Sequence, residues 1–264
     1  MPNPINTDDK LIRLILAESG RTPAYILEEL ALDEEIQIRR AVARNHKTPR
    51  KSLEVLALEK DSAIQYFVAE HPHASEKVLF ILAKSGDRAI RLRVVYNRKT
   101  PGRALADLAK NPELNIRVEV AHHQNTLPAT LAKLAKAKEN SIRRQVANNI
   151  NTSSETLLEL AGDKNGQVQI NLSRNENTPG EALARLVKIK SGEIRENVAR
   201  HTNTLPDTLE ELIQDGNIFI RQAVAGNPNL PMILLSKLMN DEYKDVRKVA
   251  EKFFRKRAGK EIAL

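Results

Sequence analysis

Apolar positions recur along this chain at a fixed interval of 26 residues, without insertion. Starting from Ile12, steps of 26 land on Ile38, Ile64, Ile90, Ile116, Ile142, Val168, Ile194, Ile220 and Val246. Four residues after each comes a second apolar column (Leu16, Val42, Val68, Val94, Val120, Val146, Leu172, Val198, Val224, Ala250). A small residue often follows it, as at Ala43, Ala69, Ala121, Ala147, Ala199 and Ala225. Apolar residues at spacings of 0, 4 and 5 mark one face of a short helix. A second set follows, with leucines at 27, 53, 79, 105, 131, 157, 183, 209 and 235 and again three residues after each. That spacing predicts a second helix per repeat.

Between the two helices lies a polar turn of the form Asn-x-Asn-Thr-Pro. Thr22, Thr48, Thr100, Thr126, Thr152, Thr178 and Thr204 share a column; Pro23, Pro49, Pro101, Pro179 and Pro231 sit one position on, and Pro128 and Pro206 two positions on. This predicts threonine as N-cap of the second helix, with proline in its first turn. The linkers back to the next repeat, such as Lys84–Asp87 and Gly162–Gly166, place glycine where a left-handed C-terminal residue would fit. No stretch alternates apolar and polar residues for long, so no sheet is expected. Neither helix can bury its stripe alone, and neighbouring repeats must stack.

The expected fold is an all-α solenoid of about nine two-helix repeats. Residues 1–11 form a short N-terminal extension, 12–245 the solenoid, and 246–264 a basic capping helix whose Phe253 and Phe254 cover the last layer.

These columns resemble the leucine-rich repeat variant (LRV) family. The resemblance rests on Ile38-Arg39-Arg40-Ala41-Val42-Ala43-Arg44-Asn45, then Thr48-Pro49, then Leu53 to Ala57, and it runs from about Ile12 to Ala250. It implies a right-handed superhelix that alternates α-helices with 3₁₀ or short α segments. It implies no common enzymatic activity. The chain departs from the family in a longer repeat and in the lack of cysteines for an iron–sulfur module. HEAT-like repeats, which also place Arg after Val, are the alternative resemblance.

Composition narrows the function classes. The chain has 264 residues, five Phe, four Tyr, no Trp and no Cys. Disulfides and cysteine-ligated metals are excluded. No apolar run approaches the roughly 18 residues that span a bilayer, and Met1 to Lys10 is too polar for a secretory leader, so a cytoplasmic location is expected. Net charge is +8, but residues 244–264 hold eight Lys/Arg against three Asp/Glu, leaving the body near neutrality. Neither a cofactor nor a metal site is expected, for there is no phosphate-cradling Gly-rich loop, no Gly-x-Ser-x-Gly and no His-Glu-x-x-His.

Three sets of residues are candidates for function. Arg39, Arg91, Arg117, Arg143, Arg195, Arg221 and Arg247 follow the Ile column. They form either a guanidinium ladder for phosphates or an inter-repeat ladder, with Asp33, Asp163, Asp215 and Asp241 as partners. Positions that vary from copy to copy give a second set, namely Arg40, Arg44, Tyr66, Arg93, Tyr96, Arg144, Arg174 and Arg200. These are residue types that dominate interfaces, placed one turn apart on a shared face. The third set is Asn45, Asn97, Asn149, Asn175 and Asn227, with His71, His123 and His201 in the same column. Spaced by whole repeats, they read as turn-closing side chains rather than metal ligands. The expectation is a non-enzymatic scaffold binding a protein partner along one elongated face. Nucleic-acid binding through the arginines and the basic tail, with its Arg255-Lys256-Arg257 run, is the second reading, although few aromatics are present for base stacking. An enzyme of the helical-repeat DNA glycosylase kind finds no catalytic pair here.

Overall fold

The structure, a computed structural model, describes residues 9–261. Most of the expected N-terminal extension (1–8) and the last residues of the expected cap (262–264) lie outside them. Among the described residues the ordered elements are nineteen α-helices, with neither strand nor 3₁₀ helix. The chain is an α-solenoid of nine helix pairs closed by one long helix. Both members of each pair are α, so the 3₁₀ alternative implied by the family resemblance is not what forms.

The chain falls into two compact units that divide between Thr130 and Leu131. Unit 1 holds α1 (Lys10–Glu18), α2 (Ala24–Leu30), α3 (Ile36–Arg44), α4 (Arg50–Leu56), α5 (Ser62–Glu70), α6 (Glu76–Leu82), α7 (Arg88–Tyr96), α8 (Gly102–Leu108), α9 (Leu114–His122) and the start of α10 (Pro128–Leu134). Unit 2 holds the rest of α10, then α11 (Asn140–Asn148), α12 (Ser154–Leu160), α13 (Gly166–Arg174), α14 (Gly180–Leu186), α15 (Gly192–Arg200), α16 (Pro206–Leu212), α17 (Ile218–Ala225), α18 (Met232–Leu238) and α19 (Lys244–Glu261).

Odd-numbered helices stack on one another within each unit, as α1 on α3 on α5 on α7 and α11 on α13 on α15 on α17. Even-numbered helices form a second row beside them. Helices of seven or nine residues are marginal in isolation; the shared core holds them. Ile38, Ile64, Ile116 and Ile142 are fully buried, as are Leu53, Leu79, Leu105 and Leu131. Truncating one such leucine to alanine costs about 2–5 kcal/mol. In unit 2 the last layer is covered by α19, which packs on α17 and α18 and buries Val246 and Ala250, while Phe253 and Phe254 are half-buried.

Two local expectations are corrected. The threonine column does not cap the second helix. Pro23, Pro49, Pro101 and Pro179 occupy that N-cap, with no side-chain cap bond. Each threonine instead donates its hydroxyl backward to a carbonyl in the last turn of the preceding helix. Thr48 bonds the Val42 carbonyl, Thr126 that of Val120, Thr152 that of Val146, Thr178 that of Leu172 and Thr204 that of Val198, at 2.5–2.7 Å. Each of those carbonyls also accepts the N–H of the residue that ends the helix, as Val42 does from Asn45, and all five threonines are buried. Nor do the linker glycines adopt a left-handed conformation; among the described residues none has positive φ. The even helices run instead into an αR residue such as Ala57 or Ala83.

Glycine is required for a different reason at two places. Where proline shifts by one residue, leucine takes its column. A Cβ on Gly102 would lie 2.7 Å from Leu127, and one on Gly180 would lie 2.6 Å from Leu205. The next repeat's leucine occupies the space a side chain would need.

Candidate interaction surface

The arginine column lies on the linker edge, and its guanidinium groups are occupied by the fold. Arg39 donates through Nη1 to the Asp33 and Glu34 carbonyls of its own linker, and through Nε and Nη2 to the Glu59 carboxylate one repeat on. Arg143 joins the Ala137 and Lys138 carbonyls to Asp163. Arg195 bonds Asp215, while Arg221 joins the Asp215 carbonyl to Asp241. Arg91 takes the Ser85 and Gly86 carbonyls and reaches Glu113. Arg117 and Arg247 hold the corresponding linker carbonyls. Guanidinium is suited to this work because its planar fork serves several acceptors at once. The carboxylates respond in turn: Arg221 holds Asp241 below the usual range, and at Asp163 burial pushes upward but Arg143 and the Asn165 N–H together outweigh it.

The position twenty residues after Arg39, Arg143, Arg195 and Arg221 is acidic, whereas after Arg91 and Arg117 it is Asn111 and Ala137, and after Gln65 and Gln169 it is Ser85 and Ile189. Those glutamines keep only the carbonyl bond, to Glu59 and Asp163 respectively.

The Asn/His column lies on the opposite, turn edge and also ties repeats together. Asn45 donates to the Ala17 and Ser19 carbonyls of the preceding repeat while its Oδ1 accepts the Lys47 N–H. Asn97, Asn175 and Asn227 repeat the pattern. Histidine uses its ring to reach one carbonyl where asparagine reaches two: the His71 Nδ1 takes the His73 N–H and Nε2 meets the Asn45 carbonyl. His123 and His201 match it. A nitrogen that accepts a backbone N–H carries no hydrogen, so the network assigns a neutral ring protonated at Nε2. Burial holds His71 and His123 below the usual histidine range. Within the described residues no cluster of three metal-ligating side chains exists.

A second asparagine ladder escaped the sequence reading. Asn125, Asn177, Asn203 and Asn229 donate to carbonyls one repeat back: Arg98 and Thr100, then Ile150, then Glu176 and Thr178, then Thr202 and Thr204. Its signal was the second Asn of the Asn-x-Asn-Thr-Pro turn. In the last layer Phe253 takes the Asn/His position and cannot donate. There Arg257 of α19 reaches back to the Asn227 and Leu230 carbonyls. Part of the basic tail is therefore a structural cap, whereas Arg255 and Lys256 are exposed.

The variable positions lie on the exposed side of the odd-helix row. In unit 1, Arg40, Arg44 and Phe67 line a groove of about 530 Å³ with Glu18, Gln37 and His46. A neighbouring groove of about 500 Å³ shares Arg44, His46 and Phe67 and adds Tyr66 and Glu70. Arg93 lies over the Tyr66 ring at 4.9 Å and pairs with Glu70, Arg40 pairs with Asp61, and Tyr96 is exposed. In unit 2, Arg174 and Arg200 line a groove of about 680 Å³. Arg174 pairs with Glu193 and Arg200 with Glu196, while Arg144 is exposed and makes no ion pair among the described residues.

No family model and no curated protein matches the chain. Among solved structures it is similar to "a leucine-rich repeat variant with a novel repetitive protein structural motif", at 18% identity over 94% of this chain and 87% of that one, with a TM-score of 0.47. An engineered protein aligns at 15% identity over 94% and 95% (TM-score 0.48), and a designed armadillo repeat protein at 15% over 88% and 99% (TM-score 0.26).

Proposed function

We propose that this chain is a non-enzymatic helical-repeat scaffold that binds a protein partner along the exposed face of its odd-numbered helices. Residues 12–245 supply that face, flanked by the extension 1–11 and the cap 246–264, in a cytoplasmic setting. No described helix is long and apolar enough to cross a membrane. One observation carries the reading. The arginines that recur in copy after copy spend their donors on linker carbonyls and carboxylates, whereas Arg44, Tyr96 and Arg144 differ between copies and are exposed. Arg and Tyr are the side chains that most often anchor protein interfaces.

The same observation weakens the nucleic-acid alternative. A phosphate groove needs free cations of one sign, and this face alternates Arg93, Arg174 and Arg200 with Glu70, Glu193 and Glu196. The test is affinity capture followed by rebinding of the purified partner. Arg144→Glu with Arg174→Glu is expected to abolish capture with unchanged thermal stability. Duplex DNA binding that weakens steeply with salt would instead favour the alternative, and loss of folding in the double variant would make the strip structural.

A further inference from the structure

The even-numbered helices form a second exposed row, and its composition changes along the chain. Tyr25 and Leu32 around α2, Val55 and Leu58 around α4, and Ile81 on α6 are 38–71% exposed. Leu58 extends α4 by one turn, its N–H bonding the Val55 carbonyl, so Val55 and Leu58 share a face at i, i+3. Lys51 and Lys77 stand one turn before Val55 and Ile81 and are exposed; Lys77 lies close enough to Glu54, the partner of Arg50, to help hold its carboxyl below the usual range. Arg103 continues that basic flank and lies over the Phe80 ring at 4.5 Å.

The repeat shows that the fold does not ask for these residues. Five repeats on, Val55, Leu58 and Ile81 correspond to Arg185, Lys188 and Glu211, all exposed, with Lys188 paired to Glu211 at 2.5 Å. Lys51 and Lys77 correspond to Glu181 and Asp207. The same columns hold exposed charges at Glu29, Lys84, Asp107 and Lys110 elsewhere in unit 1 and at Arg185, Lys188 and Glu211 in unit 2, so the apolar stripe beside Lys51, Lys77 and Arg103 is local to this stretch. Clustered exposed aliphatic side chains that the architecture does not require mark a binding surface.

We propose that the Leu32–Val55–Leu58–Ile81 stripe of unit 1 docks an amphipathic helical segment of another protein, with the acidic flank of that segment facing Lys51, Lys77 and Arg103. The anchors are steps of short side chains that would receive the i, i+3, i+4, i+7 ridge of a single helix. Four side chains suit one helix better than a second folded copy, because stable globular interfaces use roughly 20–30 residues a side. The basic flank selects the charge of the segment and sets its orientation.

The test titrates the full chain into two fluorescent amphipathic peptides with one leucine face, one flanked by glutamates and the other by lysines, read by anisotropy. The glutamate peptide is expected to bind at least about tenfold tighter than the lysine peptide. Val55→Arg with Leu58→Lys and Ile81→Glu, which grafts the chain's own residues from unit 2, is expected to weaken it at least about tenfold. Helical circular dichroism and melting of that variant are expected to match the parent. Lys51→Glu with Lys77→Asp is expected to erase or invert the peptide preference. The proposal is overturned by equal binding of both peptides, by binding indifferent to the graft, or by unfolding of the graft. Graft-sensitive self-association in light scattering, or graft-sensitive binding to phosphatidylserine vesicles in place of the peptide, would overturn it as well.

Discussion

The linker edge and the turn edge of this solenoid solve one problem with different chemistry. Both must satisfy carbonyls that short helices leave open at every repeat. The linker edge uses permanent cations. Arg39, Arg143 and Arg221 each serve carbonyls and a carboxylate of the next linker. The turn edge uses neutral groups, with Asn, Thr and His side chains reaching carbonyls in the same or the preceding repeat. The first edge depends on a carboxylate staying ionised, and the second on a ring staying neutral. Two edges with the same duty should therefore fail under different perturbations.

The largest expected difference comes from removing a charge. Arg221 and Asp241 are each only 7% exposed at the side chain and are joined by two hydrogen bonds. Asp241→Ala leaves a nearly buried guanidinium with Glu242 at 3.5 Å as its remaining acid and should cost about 3 kcal/mol in urea unfolding. Glu193→Ala, which removes the exposed partner of Arg174, should cost less than about 1 kcal/mol. Equal costs would mean that burial does not separate the ladder from the surface strip.

On the turn edge, Asn175→Ala should cost about 2 kcal/mol. It removes the side-chain partner of the Ala147 carbonyl and of the Asn177 N–H in a buried setting, while the Asn149 carbonyl keeps the Thr152 N–H. Asn175→His should recover part of that loss, because His71, His123 and His201 in the same column reach the carbonyl 26 residues back and accept the N–H two residues on. Failure of histidine to rescue would show that the neighbours of each turn, and not the column itself, decide the residue.

The sequence made the helix pairs and their core legible because burial recurs in strict register: Ile38, Val42, Leu53 and Leu56 are all buried, as their spacing demands. It was less informative about polar roles. Thr48 and Pro49 suggest a helix start under ordinary capping rules; only the fold shows that the proline takes the cap and the threonine serves the helix before it. A period of 26 also cannot say which atoms meet across repeats. The Arg39–Glu59 bond spans twenty residues and the Asn45–Ala17 bond twenty-eight, intervals set by how layers stack. The apolar stripe at Val55, Leu58 and Ile81 could be read as core leucine until the exposed side of the even helices was placed.

The smallest effect is the one that separates the edges by pH. Burial is the main force that disfavours a charged His71 ring; His73, whose ring lies 5.3 Å away, His46 and Lys99 add to it, while the Asn45 carbonyl opposes it. The folded pKa of His71 is lowered, as is that of His123. The unfolded chain, near the ordinary histidine value of about 6.5, then binds more protons below that pH. Stability is fully present above about pH 6.5 and falls as the pH drops through it. The Asp241 contribution runs at lower pH, because its folded pKa is lowered and its stabilisation is lost only as the pH falls below the usual carboxylate value of about 3.9. Thermal melts of the parent between pH 7.5 and pH 5 should therefore decline before the carboxylates titrate. His71→Asn with His123→Asn should flatten that interval and leave the loss below pH 4 in place. A decline of the same size in both proteins would assign it to other groups and remove the distinction between the edges.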